Sequence, residues 1–530
     1  MPHALADLSG EIESLEVLVT GSEAFPALER LFMGASREIW AGFRIFDLST
    51  RLRSPEACAI GETWFDLLQH TLERGVSIRL VLTDFDPILA TKYHRTSWHS
   101  ARQAAILSEL CEAGDLSFDV AAHPARVGWV PRIAFRRKVR ERLAKNEADH
   151  LTPGLWNQSL DGPYPMVPAT HHQKLAVVDR EKLFIGGIDL DERRFDTPYH
   201  DRPANETWHD VQVIVTGSVV AAAQKHLEEF KDVVRGRQQP TTQSKAFVRT
   251  LSAKRHINPF HISPRTVASE IEDAHYAALR RAEGLIYIET QYFRHLPLAS
   301  ALADIGLARP DLGLVMVLPA APEDVAFENN REQDAQLGEH LQTQCVDVVR
   351  EGFGDRALFC APAQLREANE DEGDRAKLYG APIIYVHAKV SIFGDSEAIV
   401  SSANLNGRSL RWDTEAGVHL ADPMKVRHLR ERLFTHWMPH LPVKGGLDTV
   451  DEWRATVVDN SRKPPAERRS FLLPYRLSDA RLMAAPVAGF HMNSSDVKHV
   501  DPQDITQTHR KRRGRNSRAS FIPATFDQFS

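Results

Sequence analysis

The chain has 530 residues, with 65 Lys and Arg against 71 Asp and Glu for a net charge of −6. That length suffices for two cored halves with extensions, and the near balance of charge argues against a nucleic-acid surface along the whole chain. The four cysteines (Cys58, Cys111, Cys345, Cys360) show no CxxC or Cys/His cluster with metal spacing, and no apolar run is long enough to span a bilayer.

The N-terminus lacks the basic-then-apolar layout of a secretory signal, so a cytoplasmic chain without a transmembrane segment is expected, with export by another route left open. Residues 37–46 and 75–83 read as strands, the second preceded by a helical pattern. An insert at 131–145 places Ile133, Phe135, Val139 and Leu143 roughly on one side of a helix with basic residues around them. A packed helix with a solvated basic face is the plainer reading, and contact with an anionic membrane surface is the functional one. A Pro/Gly-rich loop follows to about Pro168.

Next comes His172-Gln173-Lys174-Leu-Ala-Val-Val-Asp179, a polar turn, then an apolar run ending in Gly186-Gly187-Ile188-Asp189. Trp208-His209-Asp210 opens a further strand, followed by a helix-like run over 219–234. The second half repeats this order. Residues 284–293 and 313–318 parallel the first two strands. His387-Ala388-Lys389 leads through Gly394-Asp395 to Ser401-Ser402-Ala403-Asn404, and Trp412-Asp413-Thr414-Glu415 precedes a helix-like run over 424–437. From about Asn493 the composition suggests a disordered tail, with a basic cluster at 510–518. The expected organisation is 1–250 and 251–445 as two similar halves, with 446–530 as an extension. Strands alternating with helices imply an α/β fold, each half a mostly β sheet flanked by helices, with an active site in the cleft between them.

The chemistry follows from strand geometry. His and Lys two apart on an apolar run project from one face. With a four-residue turn and Val178 paired to Leu183, His172 falls opposite Asp189 and Lys174 opposite Gly187; the same count sets His387 opposite Asn404 and Lys389 opposite Ser402. Each copy then surrounds one spot with an imidazole, an ammonium, a small residue and a short polar side chain, which suits a phosphate. Asp179 has the wrong parity to orient His172 and is expected to tie down the turn; in the second copy Gly394 stands there and the carboxylate has moved to Asp395. The orienting carboxylates are expected to be Asp210 and Glu415, each opening a strand beside a histidine strand and accepting from Nδ1 so that Nε2 stays reactive. Surface carboxylates at strand starts are the competing reading.

These motifs resemble the phospholipase D superfamily, whose members carry two His-x-Lys-x-x-x-x-Asp motifs on two similar α/β halves. The first copy matches the motif fully. Residues 286–293 resemble the Ile-Tyr-Ile-Glu-Asn-Gln segment of true phospholipases D with Thr290 in place of Asn, and Asp413-Thr414-Glu415 resembles Asp-Ser-Glu. Gly394 for the motif aspartate and Ser401 for a glycine are departures. The resemblance covers roughly residues 25–440. It implies a phosphodiesterase that releases a head-group alcohol and phosphatidic acid through a phosphohistidine, with transphosphatidylation. His172 is the nucleophile by the family's usual assignment, although from the residues alone the two histidines are nearly symmetric. His387 is then the acid, with Lys174 and Lys389 neutralising phosphate oxygens helped by Asn404, and Asp189, Gly187 and Ser402 lining the substrate. No metal or cofactor is expected. A monomer acting on phospholipid peripherally at a membrane surface is the leading reading, with nucleic acid disfavoured. A nuclease of the same superfamily and a cardiolipin-synthase-like transferase remain the alternatives.

Overall fold

Apolar runs bounded by turns become two mixed sheets in the computed structural model, which describes residues 10–145, 152, 164, 166–241, 244–256, 259–441 and 447–486. The first sheet contains β1 (Leu15–Val19), β2 (Glu38–Phe43), β3 (Ser77–Asp84), β4 (Leu116–Ala122), β5 (Leu175–Val178), β6 (Lys182–Gly186) and β7 (Val211–Val215). The second contains β8 (Phe247–Ala253), β9 (Arg265–Ser269), β10 (Leu285–Thr290), β11 (Gly313–Val317) and β12 (Ala357–Pro362). After a separate hairpin of β13 (Lys377–Leu378) and β14 (Ala381–Pro382), it continues with β15 (Lys389–Phe393), β16 (Glu397–Ser401), β17 (Glu415–Leu420) and β18 (Leu472–Pro474).

The strand orders reveal the repeat. The first sheet runs β4-β3-β2-β5-β6-β7-β1, and the second runs β12-β11-β10-β15-β16-β17-β8 with β18 and β9 added at its edges. In both, the two outer pairs on the β3 or β11 side are parallel and the histidine hairpin is antiparallel. Parallel neighbours need a crossover. Helices Trp64–Glu73 and Thr91–Leu110 supply it in the first half, and Leu296–Ala308 and Gln333–Phe353 in the second.

Both sheets turn their hairpins inward. Val177, Leu183 and Val213 share one apolar cluster with Val390, Val400 and Val418, and helices Val219–Val234 and Pro423–Trp437 close its margins. Outer helices cover the opposite faces, packing Phe32, Trp64 and Leu68 on the first sheet and Ile271, Leu302 and Val346 on the second. Removing a fully buried ring such as Trp64 would cost about 3–5 kcal/mol.

Three expectations change. The hairpin turns have three residues, because Asp179 (φ 52°) and Arg180 (φ 61°) reverse the chain tightly, as Gly394 (φ 64°) does in the second half. Val178 therefore pairs with Lys182, and Val390 with Val400, one residue out of the expected register. The boundary expected after residue 250 falls inside β8, which pairs with β17 of the second sheet. The extension expected from 446 supplies β18 and the capped helix Val450–Ser461 to that same half. The insert forms helix Trp129–Lys145 with Phe135 and Val139 buried and Ile133 exposed. The basic cluster at 510–518 lies outside the described residues. Among the described residues no helix is long and apolar enough to cross a membrane.

Candidate active site

The segments leading into the two histidine strands each pair with the other half. His172 N donates to Thr414 O (2.8 Å) and Thr414 N to Thr170 O (2.9 Å). By the same pattern His209 N donates to Tyr385 O (2.8 Å) and His387 N to His209 O (2.7 Å). These short parallel bridges set each imidazole beside the carboxylate of the opposite half. His172 Nδ1 lies 3.0 Å from Glu415 Oε2, and His387 Nδ1 lies 2.6 Å from Asp210 Oδ2. Sequence reasoning had each carboxylate beside the histidine strand of its own half; the bridges cross the partners over.

The small residues after each hairpin serve the carboxylates. A side chain at Gly187 would sit 2.1 Å from Asp210 Oδ1, so only glycine admits that carboxylate. Ser402 Oγ donates to Glu415 Oε2 at 2.5 Å. Both positions were expected to line the substrate. They lie behind the carboxylates instead, and the cavity is lined by His172, His387, Asn404, Gln291, Arg44 and Arg194 among others. With the register shifted, Lys174 falls beside Gly186 rather than Gly187, yet Asp189 still reaches within 3.8 Å of Lys174 Nζ.

Asp189 and Asn404 make the halves differ. Asp189 Oδ1 accepts from Ile45 N (3.0 Å), and its Oδ2 faces Arg44 at 3.6 Å. Asn404 Nδ2 donates to Gln291 Oε1 (3.2 Å), which Lys389 Nζ also reaches at 3.5 Å. Arg44 and Gln291 occupy matching positions in the repeat. One lysine therefore has a buried anion beside it and the other has an amide. Gln291 stood in plain view within the 286–293 segment, whereas Arg44 and Arg194 had no motif to mark them. The Arg194 guanidinium stacks on Trp208 (3.9 Å to the ring centroid), and Trp208 in turn packs against His387.

The reactive side chains are deeply buried. Burial and the nearby lysines hold both imidazoles well below their ordinary range, so both are neutral when the site is empty. Burial pushes the Asp210 carboxyl up to about 6 and Glu415 up to about 8, and pulls the Lys389 ammonium down to about 7. Such opposed shifts among groups packed directly behind the cavity-lining histidines are a pattern found where protons move.

Asp179 stays far from this chemistry. Its carboxylate accepts from Ser36 N, Ser36 Oγ, Arg37 N and Glu38 N, pinning the turn to the start of β2. Asp395 is exposed at its own turn and pairs with Arg430.

No family model matches the chain. Phospholipase D alpha 4 of Arabidopsis thaliana is 23% identical over 53% of this chain and 50% of its own length, and phospholipase D1 of Schizosaccharomyces pombe is 23% identical over 48% and 25%. A phosphatidylserine synthase of Haemophilus influenzae Rd KW20 superposes with a TM-score of 0.51 at 12% identity, covering 82% of this chain and 90% of that one. The chain is phospholipase D-like. The chain spans about half the length of the plant relatives it matches.

Proposed function

We propose that the protein is a phospholipase D that cleaves the distal phosphodiester of glycerophospholipids through a phosphohistidine. The observation that carries this reading is the pair of imidazoles facing one cavity, each backed by a carboxylate from the opposite half. Glu415 holds the His172 proton on Nδ1 and frees Nε2 to attack phosphorus. His387 supplies the proton to the departing head-group oxygen as the phosphorus–oxygen bond breaks. Its closer carboxylate, Asp210 at 2.6 Å, favours the imidazolium once an anionic phosphate enters. His387 then takes a proton from water, which attacks the phosphohistidine and restores His172. Lys389 and Asn404, which share the neutral Gln291 Oε1 where Lys174 faces the Asp189 carboxylate, are the positive and amide contacts for the non-bridging oxygens.

All four of these histidines and carboxylates come from one chain, which supports a monomer as the working unit. Exposed Trp129 (55%) and Ile133 (63%) lie beside exposed Phe260 (62%), because Gly128 N and Val130 N donate to His261 O and Pro259 O. With exposed Arg136 and Arg137 on the same helix, this apolar-and-basic surface suits peripheral contact with anionic lipid.

The deciding experiment incubates the protein with vesicles of several phospholipids, and separately with plasmid and single-stranded DNA. Release of head-group alcohol with phosphatidic acid is expected. Nucleotide release without lipid turnover would move the reading to a nuclease, and transfer of the phosphatidyl group to glycerol without hydrolysis would make it a transferase.

A further inference from the structure

Behind the reactive histidines lies a second group that the proposed reaction does not use. His200 Nε2 and His209 Nδ1 both point at His436 Nε2, at 3.0 and 3.1 Å, and all three nitrogens lie within 4.8 Å of one another. Each outer imidazole has a carboxylate on its far side. His200 Nδ1 donates to Asp196 Oδ2 (2.7 Å), and His209 Nε2 donates to Glu289 Oε2 (2.7 Å).

Proton counting makes this arrangement unusual. The carboxylates fix the protons on the far nitrogens, so two bare lone pairs converge on one place. A single N–H on His436 cannot satisfy both with good geometry, and His200 and His209 are fully buried. His200 adopts φ 50°, a conformation that costs a non-glycine residue about 1 kcal/mol or more and persists where the surroundings demand it.

We propose that His200, His209 and His436 bind one divalent transition-metal ion. Imidazole ligands suit zinc, copper, nickel and iron, and zinc fits best because it imposes no geometry of its own. Nitrogens around a tetrahedral zinc at about 2.0–2.1 Å lie roughly 3.3 Å apart, so the His200–His436 and His209–His436 pairs need to open by only a few tenths of an ångström while the third separation, within 4.8 Å, adjusts to match. His-carboxylate pairs of the kind made by Asp196 and Glu289 orient and strengthen such ligands. His436 is the least buried of the three, and its Nε2 faces the other two nitrogens.

The ion would act structurally. His200 and His209 belong to the first half, and His436 lies on helix Pro423–Trp437 of the second, so it ties the halves together. His209 also precedes Asp210 and accepts from His387 N, so the tie sets the position of the carboxylate behind the proposed acid. None of this depends on which phosphodiester the cleft cleaves.

The test uses the full chain, stripped with a chelator and titrated with zinc chloride. About one zinc per chain should bind and raise Tm, and cobalt(II) in its place should give the visible bands of a tetrahedral nitrogen-rich site. His436→Ala should abolish both, and Asp196→Asn, which keeps all three imidazoles, should weaken zinc by about 10–100-fold. Exposed His440→Ala should change nothing. The proposal is overturned if the stripped, folded wild-type chain takes up no stoichiometric zinc, or if His436→Ala or Asp196→Asn binds it as tightly as wild type. Should His436→Ala fail to fold, the wild-type titration and Asp196→Asn still decide.

Discussion

Asp210, in the first half of the chain, holds the Nδ1 edge of His387, 177 residues away in the second, at 2.6 Å. Glu415 and His172 repeat the exchange in the other direction across 243 residues. Neither half alone holds both members of either of these two pairs, so both form only when the halves are docked.

His172→Ala and His387→Ala should each lower kcat by several orders of magnitude with the fold intact. Glu415→Gln keeps the size of the side chain and removes its charge. It should lower kcat on the order of 10³–10⁴-fold by releasing the His172 tautomer. Adding Glu415→Gln to His172→Ala should cost little more, since the two act as a unit. Head-group release measured on the single and double variants checks this. A Glu415→Gln variant within tenfold of wild type would remove the carboxylate from the mechanism.

The two lysines should separate function from stability. Lys389→Met removes a cation whose charge burial already disfavours, so Tm should hold or rise while kcat drops by about 3 kcal/mol of lost stabilisation. Lys174→Met should lose activity and also stability, by about 1–3 kcal/mol, because it strips a partner from the buried Asp189. Thermal melts run beside kinetics would distinguish them, and equal melting losses would contradict the asymmetry.

Much of this site was legible. The repeat, the hairpins and the pairing of Asp210 with Glu415 as equivalent residues follow from apolar periodicity and spacing. The one-residue register error arose at the turn, where Asp179 and Arg180 adopt left-handed backbone that a four-residue count does not foresee. The crossed partners were invisible because they depend on how two halves dock, and no local pattern encodes that. The His200, His209 and His436 trio escaped for the same reason: its members share no motif and meet only through tertiary packing.

Gly394 is explained by its neighbour. A Cβ there would lie 2.5 Å from Glu283 O, whereas Asp179 at the matching turn finds three backbone N–H groups to accept from. Gly284, at φ 66°, immediately precedes the facing strand β10 in the second half. Gly394→Asp should therefore cost about 1–3 kcal/mol of stability through strain and leave kcat unchanged. Urea denaturation and kinetics on the same sample test both parts. A gain in kcat would place this turn in the chemistry.

Activity should follow a narrow bell in pH. kcat/KM should rise as Glu415, pushed up to about 8, ionises, and fall as Lys389, pulled down to about 7, loses its charge. These limbs overlap, so the reactive charge state is a minority with its peak between about 7 and 8. The stability signs agree. Glu415 contributes most below its ordinary 4.5 and loses that as pH rises through about 8. Lys389 contributes most above its ordinary 10.5 and loses that as pH falls through about 7. The two groups thus favour the fold least where they favour catalysis most. A flat kcat/KM from pH 5 to 9 would rule these groups out as the ionisations that matter.

The last prediction concerns the covalent intermediate. If His172 carries the phosphatidyl group, water and a small alcohol compete for one species after the head group has left. With phosphatidylcholine vesicles and a few per cent of ethanol or butan-1-ol, phosphatidyl-alcohol should appear beside phosphatidic acid. When formation of the intermediate limits the rate, choline release should stay constant while the products shift toward the alcohol adduct. No divalent cation need be added, because the lysines and His387 supply the charge stabilisation and the proton. Choline release that climbs in step with the alcohol would point to direct attack on the lipid, and an alcohol adduct that never forms would deny an intermediate open to solvent. Either result would leave the two histidines as a general base and acid around a single displacement, with no bond between His172 and phosphorus.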